Sequence, residues 1–196
     1  MPRSYRQSRR AAAQDETRAR ILAATMELHV EQGVATTSFP DVAARAGVGA
    51  ATVYRHFPTP DSLVEACGAH VWEEIDPPRP DRAAATFAEL DSRADRLIRL
   101  ADTLDAFYTR AQAPLWSAVR DQDRVAPLAG FLAEIGKGVT AFVAEALQEA
   151  PQSANVKRAA ALADFTVWRA LSQAGHDPQQ RRQILVTILQ ATTRRD

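Results

Sequence analysis

The chain has 196 residues, 46% hydrophobic and 24% charged, and its 24 basic and 24 acidic side chains cancel. This suits one ordinary globular domain, or a small domain joined to a larger one, with a core of normal size. The single cysteine, Cys67, excludes an intramolecular disulfide and fits a reducing compartment. No uninterrupted apolar run approaches a bilayer span and the basic N-terminus lacks the apolar stretch of a secretory signal, so a cytoplasmic protein without membrane association is expected.

The zero net charge hides an asymmetry. Residues 1–60 hold eight arginines against five acids, while the remainder holds sixteen basic and nineteen acidic side chains. A basic head on an acidic body predicts that a polyanion would be met by the first sixty residues.

Apolar spacings of three and four dominate and alternation is absent, which predicts an all-α protein of about nine helices. Residues 1–13, with Arg3, Arg6, Arg9 and Arg10, read as a basic mobile arm. A first helix is expected from about Asp15 to Gln32, on Ile21, Leu22, Met26 and Leu28, stopping at Gly33. Short helices follow near 39–46, 50–56 and 60–75. Asp76-Pro77-Pro78-Arg79-Pro80 then breaks the pattern, because three prolines in four positions cannot continue a helix. A front domain over 14–76 and a larger body over 77–196 are therefore expected. In the body, amphipathic runs fall at 86–111, 114–122, 124–149, 153–174 and 178–193. Pro114 opens one of them, Ala150-Pro151 closes another, and Asp177-Pro178 supplies an N-cap followed by proline.

The stretch SFPDVAARAGVGAATVYRHFP, from Ser38 to Pro58, carries most of the functional signal. Ser38 and Asp41 have capping-box spacing, and Phe39, Val42, Ala43 and Ala46 form one stripe. Gly47 permits a left-handed helix end. In the next helix Val53 and Phe57, four apart, share the buried face. Ala51 and Arg55 then point the opposite way, flanked by Thr52 and Tyr54. That face has little bulk and several donors, as a helix entering a major groove requires.

These residues closely resemble the helix-turn-helix of the TetR family of bacterial transcriptional regulators. The likeness runs from about Arg18 to Leu63, through Ile21-Leu22, Ala24, Leu28, Gly33, Thr37-Ser38, Val42-Ala43, Ala46-Gly47-Val48 and Thr52-Val53-Tyr54-Arg55-His56-Phe57-Pro58. The resemblance implies a DNA-binding domain joined to a helical effector-binding and dimerisation domain. The implied DNA contacts are Ser38, Gly49, Ala50, Ala51, Thr52, Tyr54, Arg55 and His56. Ser38 and Thr52 serve as hydroxyl donors, Tyr54 and His56 as phosphate contacts, and Arg55 as the base reader, gripping guanine O6 and N7. Tyr54 could instead cover the domain surface, and His56 could cap its own helix. Basic residues common in the family are missing at Pro40, Ala50 and Pro60, and His29 stands where Phe is usual. The arginines of the N-terminal arm could restore the lost phosphate contacts.

After Pro80 the likeness is architectural only. It implies a double-stranded DNA operator, a homodimer through the last two helices and a small-molecule effector. Broad apolar stripes on 153–174 and 178–193, rich in small Ala residues, fit such a dimer. Candidate pocket residues are the large side chains Phe107, Tyr108, Trp116, Phe131, Phe142 and Trp168, with Arg169 and His176 as polar anchors. An aromatic pocket predicts an apolar or aromatic effector, whose binding would relieve repression. The alternative is a helical interaction module of the same fold without DNA binding. No nucleophile elbow, phosphate loop or zinc-binding helix motif is present, and the spacing of Cys67, His70, Glu73 and Glu74 fits no standard metal site, so neither an enzyme nor a metal or other cofactor is expected.

Overall fold

The computed structural model describes residues 2–193, with side chains from Arg9 onward. The described residues form ten α-helices and no strand. Contacts divide the chain into two compact units: Met1–Glu73 with Trp116–Gly130, and Glu74–Leu115 with Phe131–Asp196. The sequence reading placed all of 77–196 in the body, whereas Trp116–Gly130 belong to the first unit.

The first unit is built on α1 (Pro2–Glu31), α2 (Phe39–Ala46), α3 (Ala50–His56) and most of α4 (Pro60–Ile75). The expected start near Asp15 is corrected: α1 begins at Pro2, so residues 2–13 continue the helix instead of forming a separate arm. Ala11 to Ala13 lie in this extension, and alanine is the strongest helix former. The side chains of Arg3 and Arg6 lie outside the described residues. Helix α2 starts on Ser38, whose Oγ accepts from the Asp41 amide while the Asp41 carboxylate accepts from the Ser38 amide, and Pro40 sits in its first turn. Gly47 ends it at φ 63°, a left-handed conformation that a Cβ resists.

One core joins these helices: Ile21, Leu22 and Leu28 from α1, Phe39, Val42, Ala43 and Ala46 from α2, Val53 and Phe57, then Leu63 and Cys67 from α4. The Arg18 guanidinium lies over the Phe57 ring at 5.1 Å. Burial pushes the Cys67 thiol up to about 12, so it packs as a small protonated hydrophobe.

The second unit contains α5 (Pro80–Phe87), most of α6 (Arg93–Asp121) and of α7 (Ala126–Leu147), and α8 (Ala154–Leu162), α9 (Phe165–Gln173) and α10 (Pro178–Thr192). Two expected boundaries move. Pro114 lies inside α6 instead of opening a new helix. It removes one helical hydrogen bond, and the buried flanking side chains Ala111 and Leu115 hold the helix through the defect. The expected helix 153–174 is split, because the Asp164 carboxylate accepts from Thr166 N at 2.8 Å and starts a new helix there. The freed carbonyl of Ala163 accepts a 2.8 Å bond from the Tyr108 hydroxyl. Asp177 caps α10 in a capping box with Gln180, as its position before Pro178 predicts.

Arginines close several exposed carbonyl ends in this unit. Arg96, almost fully buried, donates to the carbonyls of Phe87, Leu90 and Glu145 and pairs with the Glu145 carboxylate at 3.0 Å. Arg110 donates to the carbonyl of Ile75 at 3.0 Å, at the end of α4. By length and composition α7 is apolar enough to cross a membrane, contrary to the sequence reading. Its Ile135, Val139, Phe142, Val143 and Leu147 are buried, and its Glu145 pairs with Arg96.

Candidate nucleic-acid interface and small-molecule pocket

Helix α3 carries its outward face as the spacing predicts. Val53 and Phe57 are buried; Ala50, Ala51, Tyr54 and Arg55 are exposed; Thr52 and His56 are half-buried. Gly49 caps the helix with backbone alone, so its first turn stays slim. Tyr54, 55% exposed, is steered by an edge contact with the Phe39 ring at 4.7 Å. His56 has a buried Nε2 with no hydrogen-bond partner, so the imidazole caps nothing through that atom.

Ser38 behaves differently from a free donor. Its hydroxyl donates to Asp41 Oδ2 at 2.6 Å and its amide donates to the same oxygen at 3.2 Å. The hydroxyl proton is thus committed to the cap, and a phosphate would have to displace Asp41 to receive it. The Arg45 guanidinium bridges Glu27 and Glu31 at 3.0 and 2.7 Å, tying α2 to α1 on the exposed side.

The turn between α1 and α2 is held by residues that sequence reasoning missed. Asp121 Oδ2 accepts from the amides of Val34 at 2.7 Å and Ala35 at 3.2 Å. The Ser117 hydroxyl donates to the His29 carbonyl at 3.1 Å. Gly33 has φ 102°, and a Cβ there would collide with the Arg120 guanidinium and come within 2.9 Å of Asp121 Oδ2. Burial lowers the His29 imidazole to about 4, against the opposing pull of Asp121, so it is neutral at pH 7 and serves as packing. Nothing local in the sequence pairs Asp121 with Val34, more than eighty residues away.

The expected pocket residues scatter. Trp116 lies in the first unit and is 38% exposed. Phe142 packs edge-on against Phe87 at 5.9 Å and Phe107 against Tyr108 at 5.1 Å, both as buried core. Phe131 and Arg169 are half-buried. Tyr108 and Trp168 alone among the eight, His176 included, line the depression formed by α6, the α8–α9 junction and α10. There they meet Asp105 and Arg181, which sequence reasoning did not single out. Asp105 Oδ1 accepts from Trp168 Nε1 at 2.7 Å and from Arg181 Nε at 2.8 Å.

Comparison with known proteins supplies context for both sites. The pattern described as "Bacterial regulatory proteins, tetR family" matches residues 21–67. Over 61 residues the chain is 45% identical to the HTH-type transcriptional repressor Rv3405c of Mycobacterium tuberculosis, covering 31% of this chain and 32% of that protein. The chain thus spans about a third of that curated relative. Among solved structures, the multidrug binding protein EbrR complexed with imidazole is 26% identical with a TM-score of 0.62, covering 89% of both chains. A member of the TetR family from Streptomyces coelicolor A3, SCO1917, is 24% identical with a TM-score of 0.63, covering 89% of this chain and 98% of that one; at this identity it is similar in fold.

Proposed function

We propose that the chain belongs to the tetR family of bacterial regulatory proteins, whose pattern its residues 21–67 match, and that it is a transcriptional regulator that binds double-stranded DNA through α3. The observation that carries this reading is the exposed face of α3, on which Ala50, Ala51, Tyr54 and Arg55 stand opposite buried Val53 and Phe57. Two small residues let the helix enter a major groove, and Arg55 then reaches base edges with a planar fork. Thr52, Tyr54 and His56 supply phosphate contacts beside it, and Gly49 brings the backbone near. Ser38 supports the interface as a cap.

The regulator works in the cytoplasm as a homodimer joined through α8, α9 and α10. Support comes from the half-buried Leu162, Val167, Leu171, Ile184, Leu185 and Ile188 along those helices, a row that a second copy would cover. Two copies of α3 must then lie about 34–36 Å apart to read successive major grooves. It acts as a repressor, released when a small apolar or aromatic effector binds the state that cannot meet that spacing. The repressor named among its relatives and the imidazole bound to EbrR are consistent with this reading.

Selection from random duplex DNA tests the proposal. A palindromic consensus with half-sites one helical turn apart is the expected result. Absence of enrichment at low salt would favour the interaction module without DNA binding, the reading suggested by the missing basic residues at Pro40, Ala50 and Pro60.

A further inference from the structure

We propose that Asp121, in the last turn of α6, is a positioning residue for DNA binding: its carboxylate fixes the turn that leads into α2, and through α2 it sets the pose of α3. This rests on the reading of α3 as the DNA-contacting helix, and it names a residue outside the helix-turn-helix on which that contact depends.

From Trp116 onward α6 belongs to the first unit. There it holds the end of α1 and the following turn at three points. The Ser117 hydroxyl donates to the His29 carbonyl at 3.1 Å. The Arg120 guanidinium lies so close to Gly33 that a Cβ on that glycine would strike it. Asp121 Oδ2 takes the amides of Val34 at 2.7 Å and Ala35 at 3.2 Å. The Asp121 side chain is buried, so water competes poorly for these amides, and an ionised acceptor holds them more strongly than a neutral one.

Other bonds close the turn on itself. Thr36 Oγ1 donates to the Gln32 carbonyl at 2.6 Å, Thr37 Oγ1 to that of Gly33 at 2.7 Å, and the Thr37 amide to that of Val34 at 3.2 Å. Asp121 ties this closed turn to α6. The next residue, Ser38, is the N-cap of α2, so a shift of the turn moves the start of that helix. Helix α2 passes the shift to α3. The Val48 amide donates to the Ala43 carbonyl at 3.0 Å across the Gly47 corner, the Phe39 ring meets Tyr54 at 4.7 Å, and Val42 and Ala46 share one core with Val53 and Phe57. Close packing makes the two short helices one piece. Hydrogen bonds to DNA weaken steeply with misalignment, so α3 tolerates little displacement.

The test uses the full chain: native protein, Asp121→Ala, Asp121→Asn and Cys67→Ser. The last buries an unpaired hydroxyl in the same core and touches none of the bonds above. Amide hydrogen exchange is measured without DNA, and affinity for a selected duplex is measured from 50 to 200 mM salt. Asp121→Ala should raise exchange over 34–57 more than over 21–28 and weaken duplex binding at least tenfold. Its salt dependence should also be shallower, because a misplaced α3 loses phosphate contacts, whereas a merely smaller folded fraction leaves the slope unchanged. Asp121→Asn keeps an acceptor oxygen and should hold affinity within threefold of native. Cys67→Ser should lower the melting temperature and keep both affinity and slope. Native affinity in Asp121→Ala, no rescue by Asn, or a loss in Cys67→Ser equal to that in Asp121→Ala overturns the proposal. So does tighter binding by both Asp121 variants, the mark of a charge effect alone. If Asp121→Ala fails to fold, Ser117→Ala loosens the same grip at His29; it should weaken binding with a shallower slope, and unchanged binding overturns the proposal. A native protein that binds no duplex overturns the regulator reading itself, whereas uniformly raised exchange across the first unit in Asp121→Ala overturns the positioning alone.

Discussion

A carboxylate oxygen of Asp121 accepts a 2.7 Å hydrogen bond from the backbone nitrogen of Val34, eighty-seven residues earlier in the chain. The same oxygen takes the amide of Ala35, so one side chain satisfies two amides of the turn that delivers the chain to α2. Asp121→Ala leaves them without that acceptor, with a buried Val34, and should cost about 2 kcal/mol or more in urea unfolding. Asp121→Asn keeps a carbonyl oxygen and should lose less than half as much. Equal losses would mean that the charge, not the acceptor geometry, matters.

His29 gives the first unit a pH dependence. Its imidazole titrates at about 4 when folded, below the ordinary 6.5, because burial disfavours the charged form. Between those values the unfolded chain binds a proton that the folded chain refuses. The contribution is therefore complete above pH 6.5 and lost as pH falls toward 4, with a ceiling of about 3 kcal/mol. His29→Phe should flatten the stability profile over that window. An unchanged slope between pH 6.5 and 4 would acquit the imidazole.

Two glycines separate backbone strain from collision. Gly47 has φ 63° with nothing within 4 Å of a built Cβ, so Gly47→Ala should cost about 1–2 kcal/mol from conformation alone. At Gly138 the added methyl would overlap the Pro78 carbonyl, which lies directly against α7. Gly138→Ala should therefore exceed Gly47→Ala, at roughly 3 kcal/mol or more. Thermal denaturation of the two variants would rank them, and the reverse order would be inconsistent with this packing.

Arg55→Ala tests base reading. Affinity for the selected duplex should fall by about 1–3 kcal/mol, with preference relaxed at one base position per half-site. A uniform loss across all sequences would reassign Arg55 to phosphate.

The N-terminal extension tests the electrostatic account. Deleting residues 2–10 removes four arginines, and operator affinity should drop while its dependence on salt becomes shallower. If titrations between 50 and 200 mM salt superimpose for the two forms, the extension makes no phosphate contact.

The α2–α3 corner was legible because its causes are local. A capping box at Ser38, a glycine able to turn left-handed at Gly47 and a four-residue spacing from Val53 to Phe57 each act within one or two helical turns. Propensity also ran the wrong way locally: Pro114 looked like a helix start, but burial of Ala111 and Leu115 carried α6 through it. The 153–174 run looked continuous, yet Asp164 could cap a new turn once Tyr108 satisfied the carbonyl freed at Ala163.

The order of residues along the chain was enough to determine the helical class, the capped corner and the outward face of α3, since hydrogen-bonded turns and side-chain periodicity are set by near neighbours. It could not select which aromatics would meet: Phe107 and Phe142 became core, while Tyr108 and Trp168 were drawn to Asp105 and Arg181. That choice belongs to tertiary structure, because a buried carboxylate must find its donors wherever the folded helices bring them, and here they come from positions more than sixty residues away.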